Sequence, residues 1–270
     1  MTQEFVHLHV HSDYSFLDGL CRIQELVAKA VKYEQPALAL TEHGNLHGAI
    51  EFYTTCKNAG IKPIIGCEFY IAPGSRLEKI KEKGKKAFHH ITILAKDNDG
   101  YKNLIKLSTA SYVEGFYYKP RIDNELLAKY SKGLICLTGC LSSPLACTVL
   151  GGGDAEPIIS EYRNIFGRDL YLEIQRTNSK GQDTILEAYQ KLSKEFKVPL
   201  VATNDVHYTE DTDRRAHDAL LCIGTGTHIN DTERFKFDSD EYYYKDSNKM
   251  CTLFSDIPEA IYSTLEIAEK

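Results

Sequence analysis

Short, nearly continuous apolar runs alternate along this chain with longer amphipathic stretches. Seven runs have the length and apolar character of buried parallel strands, and they lie at 5–10, 37–41, 63–71, 90–95, 134–138, 170–175 and 199–203. Helical periodicity between them predicts helices at about 22–33, 47–59, 99–112, 122–131, 154–166 and 182–196. Stop signals such as Gly60 before Pro63 support this division. The order of elements predicts an α/β protein.

The repeated strand–helix order fits either a (β/α) barrel or a doubly wound sheet. We favour the barrel because polar candidate ligands follow many different strands, and barrel enzymes build their sites at the C-terminal ends of the strands. The repeated order stops near residue 209. We therefore predict a barrel core over 1–208, followed at 209–270 by the last part of the same domain and the start of a linker. The basic run at 78–86 is expected to be a loop.

Composition narrows the class of protein. A hydrophobic fraction of 43% and a charged fraction of 26% are ordinary for a globular domain, and there is no apolar run long enough to span a membrane and no signal-peptide pattern at the start. A cytoplasmic protein without a membrane partner is expected. The net charge of −6 disfavours a module that holds DNA by its own surface charge, unless bound cations alter the balance. The eight cysteines form no Cys-x-x-Cys pair, which disfavours a zinc knuckle or a redox motif.

Three alternating histidines, His7, His9 and His11, are the strongest local signal. Residues two apart in a strand share a face, and each buried imidazole needs hydrogen-bond partners, so three of them indicate a metal site rather than core packing. Single donors elsewhere are weaker signals, since a lone Asp is usually a turn former. Together, however, N, O and S donors at several strand ends favour zinc, manganese or iron over calcium or magnesium. These further donors are Asp18, Glu42, His43, Glu68, His89, His90, Cys140, Asp205 and His207.

Several motifs follow one another in an order that is specific. They are VHLHVHS (6–12), YS (14–15), LDG (17–19), LTEHG (40–44), IGCE (65–68), HITILA (90–95), LTGC (137–140) and TNDVHY (203–208). This series resembles the PHP (polymerase and histidinol phosphatase) superfamily in the form found in bacterial DNA polymerase III alpha subunits, and it covers nearly the whole chain. The resemblance implies a distorted seven-stranded (β/α) barrel with a metal site at the C-terminal ends of the strands.

The resemblance also implies a trinuclear metal site. Active members of the family bind three divalent ions through nine side chains, and all nine positions hold a metal-competent residue in this chain, whereas some alpha subunits have lost several and keep the domain as a scaffold. Carried over by position, the ligands are His9, His11, Glu68 and Asp205 for the first ion, Glu68, His90 and Cys140 for the second, and Asp18, His43 and His207 for the third. Zinc, manganese and iron are the candidate ions.

Charge and chemistry agree with cleavage of phosphodiester bonds. Three divalent ions bring +6, and three carboxylates with the Cys140 thiolate contribute −4, which leaves about +2 to attract a phosphodiester. A hydroxide shared by two metals is the expected nucleophile, with Asp205, Glu68 and His11 as the catalytic residues around it.

Four residues are candidates for substrate contacts. The basic-aromatic loop GFYYKPR (115–121) could stack a terminal base and bring Lys119 or Arg121 to a phosphate, although a packed loop with exposed charges is an equally good interpretation. Gln175 and Arg176 follow the sixth predicted strand and are the other two candidates. The pair at 214–215 is expected to face a neighbouring polymerase region instead.

The leading hypothesis is a metal-dependent 3′→5′ exonuclease that proofreads DNA 3′ ends, with the rest of the polymerase III alpha chain and other replisome subunits as partners. Polymerisation itself is expected to belong to the longer parent chain, because no palm-like region is present. One alternative is a non-catalytic scaffold whose metals only stabilise the fold. The other is a stand-alone phosphatase of histidinol-phosphatase type, which the segments 45–57, 115–123 and 213–227 disfavour because they resemble the polymerase-linked branch.

Overall fold

The computed structural model describes residues 4–79 and 86–270. In this part of the chain there are seven strands: β1 (Ala37–Leu40), β2 (Lys62–Ile71), β3 (His89–Ala95), β4 (Arg121–Ile122), β5 (Leu134–Leu137), β6 (Leu170–Gln175) and β7 (Leu200–Thr203). The helices of the same part are α1 (Ile23–Lys32), α2 (Ala49–Ala59), α3 (Asn98–Val113), α4 (Asn124–Tyr130), α5 (Pro144–Leu150), α6 (Glu156–Phe166), α7 (Gln182–Phe196), α8 (Arg214–Thr225), α9 (Ser247–Leu253) and α10 (Pro258–Glu269). The basic loop predicted at 78–86 lies mostly outside the described residues.

The strands form one mixed, curled sheet in the order β1-β2-β3-β5-β6-β7, with β4 paired to β2. Neighbouring strands are parallel except for β3, which is antiparallel to both β2 and β5. The expectation of uniformly parallel strands is therefore wrong at β3. No helix lies between β2 and β3 in the described residues, and a parallel neighbour would require a long crossover connection.

The first predicted strand, 5–10, is extended but forms only a single parallel bridge, with Val206. It nevertheless connects the two edges of the sheet. The Ala39 N–H donates to the His7 carbonyl (2.9 Å) on the side of β1, and the Val206 N–H donates to the His9 carbonyl (3.1 Å) just after β7. The segment thus closes the curled sheet into the distorted barrel that the sequence predicts.

The interior of the barrel is filled by alternate side chains of its strands, including Ala39, Ile64 and Val201. Ile267 and Ala268 of α10 join this inner cluster, so α10 packs against the barrel and covers it from one side. Helix α10 is therefore part of the folded domain. The domain boundary at 208 stays a prediction.

Four helices arise where no helix is predicted: α5, α8, α9 and α10. The start of α5 does carry a local signal, because the Ser143 hydroxyl accepts from the Ala146 N–H and Pro144 occupies the first turn. Helix α8 ends at Gly226, which adopts a positive φ of 67°. No helix within residues 4–79 and 86–270 is both long enough and apolar enough to cross a bilayer.

Candidate metal centre

A cleft of about 380 Å³ opens at the rim of the barrel where the parallel strands end. The side chains of seven of the nine predicted ligands line it: Asp18, His43, Glu68, His90, Cys140, Asp205 and His207. The remaining two, His9 and His11, are fully buried and contact the others from below. His90 reaches this rim because β3 is antiparallel and so begins where its neighbours end.

Glu68 occupies the centre of the cluster and is 2% exposed. Its Oε1 lies 3.4 Å from His9 Nε2 and 3.1 Å from His90 Nδ1. Its Oε2 lies 2.7 Å from His43 Nδ1 and 3.5 Å from His11 Nε2. One carboxylate therefore contacts four imidazoles, as a bridging ligand would.

Asp205 faces the two buried histidines. Its Oδ1 is 3.3 Å from His9 Nε2 and 3.4 Å from His11 Nε2, and these two nitrogens are only 3.1 Å apart. The backbone of Asp205 has a φ of 50°, in the left-handed region, where a non-glycine residue is strained. Such strain clusters at functional sites, and here it accompanies three ligand atoms that converge.

The third predicted group lies nearest the entrance. Asp18 Oδ2 is 2.8 Å from His43 Nε2, and Asp18 Oδ1 is 3.9 Å from His207 Nε2. His11 stacks on His43 with ring centroids 4.1 Å apart, so these imidazoles are close enough to share an ion. The turn that carries Asp18 needs Gly19, since a Cβ there would lie 2.1 Å from the Ser12 carbonyl oxygen.

Cys140 completes the cluster on the side of β3. Its Sγ lies 3.6 Å from Glu68 Oε1 and 3.8 Å from His90 Nδ1. Burial, followed by the charge of Glu68, raises the pKa of this thiol well above its usual range. A thiolate at this position therefore needs a nearby cation.

Hydrogen bonding tests whether these residues suit metal ions. Four buried atoms of the cluster have no hydrogen-bond partner among the described residues: Asp18 Oδ1, His43 Nδ1, Glu68 Oε2 and Asp205 Oδ1. The close contact between His43 and Glu68 is an ion pair without hydrogen-bond geometry. Most buried polar atoms in native proteins are paired, whereas unpaired N and O atoms that converge suit divalent cations. The residues present fit a metal centre.

The charges of the cluster support the same conclusion. Burial opposes protonation of His9, but the carboxylates of Asp205, Glu173 and Glu68 outweigh it and raise the pKa of His9 well above its usual range. Against the same burial effect, Glu68 and Asp18 raise the pKa of His43 to about 10. Protons on these imidazoles thus balance the carboxylates, and metal binding would release them.

Comparison with known proteins agrees with this geometry. The family model described as "PHP domain" matches residues 7–177. The chain belongs to the PHP domain family. It is 48% identical over 268 residues to the DNA polymerase III subunit alpha of Borreliella burgdorferi and 46% identical over 269 residues to that of Treponema pallidum. Each match covers 98% of this chain and 23% of the relative, so the chain spans less than a quarter of the length of these relatives.

The fold is shared with a more distant protein. An amidohydrolase from Chromobacterium violaceum with bound sulfate aligns with a TM-score of 0.52 at 14% identity, covering 75% of this chain and 87% of that chain. At this level of identity the likeness concerns the fold alone. It agrees with the distorted barrel described above.

Sequence analysis missed one residue of this PHP domain, Glu173 on β6. Its Oε1 accepts a hydrogen bond from His9 Nδ1 at 2.6 Å and from the Thr203 hydroxyl at 2.5 Å, while its Oε2 accepts from the Gly139 N–H at 3.1 Å. This arrangement places the proton of His9 on Nδ1 and leaves Nε2 free to bind a metal. The sequence did contain a signal, because a charged residue inside an otherwise apolar strand is rarely buried without a function.

Glu42 has a supporting position rather than a place among the ligands. It is buried, and burial raises its pKa to about 7 although Ser12 and Ser15 donate hydrogen bonds to its carboxylate. The Ser15 hydroxyl also lies 3.0 Å from His11 Nδ1 and accepts from the His43 N–H at 3.1 Å. Glu42 and Ser15 therefore orient two of the predicted ligands.

Two histidines close to the site stay outside it. His7 is buried, with Nε2 2.8 Å from the Lys245 carbonyl oxygen and its ring against Tyr244. His89 contacts the Ser142 carbonyl oxygen at 3.3 Å. Neither is among the nine ligands that the resemblance implies.

The four predicted substrate contacts of the PHP domain separate into two pairs. Gln175 lines the cleft and donates to Glu173 Oε1 at 3.1 Å. The exposed Lys119 lies over the ring of Tyr70 (5.3 Å), which in turn stacks on His43. These two residues are close enough to the predicted ligands for a role in substrate binding.

The other two, Arg121 and Arg176, do not fit the expected role. Arg121 is 2% exposed, and its guanidinium donates to four backbone carbonyls, those of Arg76, Glu78, Ala87 and Gly115. Arg176 forms a bidentate ion pair with Asp256 at 2.6 and 2.7 Å and lies over the ring of Phe254. Because the donors of both side chains are engaged within the fold, we correct their assignment from substrate binding to structural support.

Proposed function

We propose that this PHP domain is a divalent-metal-dependent phosphodiesterase within a DNA polymerase III alpha chain, and that it removes nucleotides from DNA 3′ ends in the 3′→5′ direction. The observation that carries the proposal is the convergence of nine metal-competent side chains on one cleft, with four buried atoms unpaired among the described residues. Its proposed partners are the DNA 3′ end, the rest of the alpha chain and other replisome subunits in the cytoplasm.

The ligand assignment is the one that the resemblance to the PHP superfamily implies. We assign His9, His11, Glu68 and Asp205 to the first ion, Glu68, His90 and Cys140 to the second, and Asp18, His43 and His207 to the third. Bound divalent cations of this kind polarise a phosphoryl oxygen and lower the pKa of water. Zinc, manganese and iron suit this mixture of imidazole, carboxylate and thiolate donors.

The protein's own residues prepare the cleft for a phosphodiester. Glu68 is the central carboxylate, and Asp205 and His11 converge beside it, so these three are the proposed catalytic residues. Glu173 fixes the protonation of His9, and Ser15 orients His11. Gln175 at the cleft wall and Lys119 near its entrance are proposed to position the substrate.

Electrostatics makes substrate binding depend on occupancy of the cleft by metal. The chain carries a net charge of −6, which repels nucleic acid at long range. Only the local charge of bound cations draws a phosphodiester into the cluster of carboxylates. Stripped of metal, the cleft itself would therefore not hold a phosphodiester.

The deciding experiment measures nucleotide release from a mismatched DNA 3′ end with manganese. We expect release by the wild type and a rate lower by at least about a hundredfold in Asp205→Asn, since even residues behind the ligands change activity by 10- to 100-fold. Asp99→Asn, an exposed site far from the cleft, is the matched control and should retain wild-type activity.

Two alternatives give different outcomes in the same assay. A scaffold role predicts metal content without release by either protein, and equal release by wild type and Asp205→Asn would also contradict the proposal. A small-molecule phosphatase predicts hydrolysis of histidinol phosphate without nuclease activity. Elemental analysis of metal per chain accompanies each measurement.

A further inference from the structure

A second pocket, of about 310 Å³, lies beside the metal cleft. Lys236 and Phe237 line both, so the two cavities share a wall. The other side chains that matter here are Arg214, Arg215, His217 and Arg234. The pocket therefore places basic side chains immediately next to the predicted metal ligands.

Some of this positive charge serves no visible structural purpose. Arg234 forms a bidentate pair with Asp218 at 2.6 and 2.7 Å, and Arg214 pairs with Asp240 at 2.5 Å. Arg215 and Lys236 are both exposed and have no ion-pair partner within the described ranges 4–79 and 86–270. Two unpaired cations at one pocket are notable in a chain whose net charge is −6. The N-terminus of α8, which begins at Arg214, adds partial positive charge.

His217 forms a buried part of the pocket wall, next to the metal cleft. His217 is 2% exposed and packs edge-on against Phe237 and His207, with ring centroids 4.9 and 5.7 Å apart. Its Nε2 has no hydrogen-bond partner among the residues that the structure describes. The Asp18 backbone also interacts with this ring, so His217 joins the pocket wall to the turn that carries a predicted ligand.

We propose that this pocket binds a backbone phosphate of a single-stranded polynucleotide while a neighbouring phosphodiester of the same strand occupies the metal cleft. The inference rests on the proposed function and names its substrate class. Arg215 and Lys236 contact the phosphate, and the shared wall lets one strand reach both cavities. A small phosphate ester has only one phosphate and cannot occupy both.

Aromatic side chains favour a nucleic acid over an acidic peptide. Phe235 is 58% exposed at the cleft wall, next in sequence to Lys236, and its ring contacts Phe237 at 5.9 Å. Alternating aromatic and basic residues beside a groove are typical of single-strand binding, where bases stack on rings and cations meet the backbone. Phe235 thus offers a surface for the base that follows the bound phosphate.

The test measures binding separately from catalysis. Fluorescence anisotropy with a labelled oligothymidylate in EDTA compares the wild type with Arg215→Ala, Lys236→Ala and the double variant. We expect the double variant to weaken binding about tenfold or more, and the slope of log affinity against log salt to fall by about 0.7 for each phosphate that is no longer neutralised. Arg168→Ala, exposed and located before β6 at the other end of the strands, is the matched control and should change affinity by less than about twofold.

A second measurement uses the metal-loaded protein. The ratio of kcat/KM for the oligonucleotide to that for bis(p-nitrophenyl) phosphate should fall about tenfold in Arg215→Ala, be largely restored in Arg215→Lys and not change in Arg168→Ala. If the wild type hydrolyses neither substrate, the proposed function fails, whereas the anisotropy measurement still decides whether the pocket binds DNA.

Three results would overturn the inference. One is equal oligonucleotide affinity in the wild type and the double variant, which would leave the pocket to another partner such as an acidic segment of a neighbouring domain. Another is an equal weakening in Arg168→Ala, which would indicate nonspecific charge. The third is competition by inorganic phosphate at the same concentration as the oligonucleotide, which would indicate a site for the free anion.

Discussion

Two largely buried polar clusters of this protein have opposite hydrogen-bond states. The metal cleft gathers carboxylates and imidazoles whose atoms converge without partners in the described structure. The second group, which we name the Arg76 cluster, consists of Arg76, Glu114, Arg121 and Asp123. There, Arg76 donates to both oxygens of Asp123 (3.0 and 3.2 Å) and to Glu114 (2.7 Å).

The difference teaches how to separate a functional cluster from a structural one. In the Arg76 cluster every charge finds its partner inside the protein, and Asp123 also caps α4 by accepting from the Leu126 N–H. In the cleft, four buried ligand atoms have no partner among the described residues, and an additional cation would satisfy them. Burial alone does not distinguish the two clusters. The number of unpaired polar atoms does.

The largest effect is expected for Glu68→Gln, which removes the central charge of the cleft while keeping its shape. Because this carboxylate contacts four imidazoles, we expect metal content to fall and phosphodiester hydrolysis to drop by at least about a hundredfold. Glu114→Gln in the Arg76 cluster is the matched control and should retain activity. Steady-state kinetics with elemental analysis measures both, and normal metal content in Glu68→Gln would contradict the ligand role.

Arg121→Met is expected to lose much of its stability, while each folded molecule keeps its catalytic activity. Four backbone carbonyls lose their donor, so the free energy of unfolding should fall by about 3 kcal/mol in urea denaturation. Lys119→Met, at an exposed site in the same loop, should change it by less than about 0.5 kcal/mol. An unchanged unfolding curve with lower activity per folded molecule would contradict the structural role and support Arg121 as a substrate contact.

An intermediate effect is expected for Glu173→Gln, because Glu173 is itself fully hydrogen-bonded but acts on the cleft through His9. Loss of its charge should weaken metal binding about tenfold, with little change in the fold. Competition with a chelator measures the affinity, and the exposed Glu187→Gln is the control. Equal metal affinity in Glu173→Gln and the wild type would reduce Glu173 to a packing residue.

The smallest change in stability is expected at Asp169. Its carboxylate forms ion pairs with Lys96 (2.5 Å) and Lys270 (3.1 Å). Burial raises the pKa of Asp169, but hydrogen bonds from the two lysines outweigh it and hold that pKa below its usual range. A depressed carboxylate pKa stabilises the fold above the unfolded-state pKa of about 3.9 and loses that contribution as pH falls further. Asp169→Asn should therefore cost about 1 kcal/mol at neutral pH.

Thermal or urea unfolding across pH checks this prediction. The difference between wild type and Asp169→Asn should be constant from neutral pH to about pH 5 and shrink below about pH 4. Asp99→Asn, which removes a solvent-exposed pair with Lys132, should give no measurable difference at any pH. A wild-type advantage that grows on acidification would contradict the assigned sign.

Several features could be predicted from sequence because they depend on local periodicity. The alternating histidines and the acidic or imidazole residues that follow strands indicated a metal site, since strand geometry repeats every two residues, and the resemblance to the PHP superfamily selected nine of them. The antiparallel direction of β3 could not be predicted, because it depends on the connection after β2 and not on the composition of β3. The burial of Arg121 could not be predicted either. A basic residue in an aromatic loop has the same sequence pattern whether it binds DNA or donates to backbone carbonyls.

The sequence alone determined the α/β class, because it is encoded in residue type and spacing over short stretches, and the order of its motifs carried the resemblance that implies the distorted barrel and the set of donors. Only the tertiary structure decided which buried charges are satisfied and which are not. It showed that Glu173 supports His9, that Arg121 belongs to the fold, and that Lys236 lies between two cavities. Those outcomes depend on contacts between residues far apart in the chain, and a hydrogen bond across such a distance leaves no trace in local periodicity.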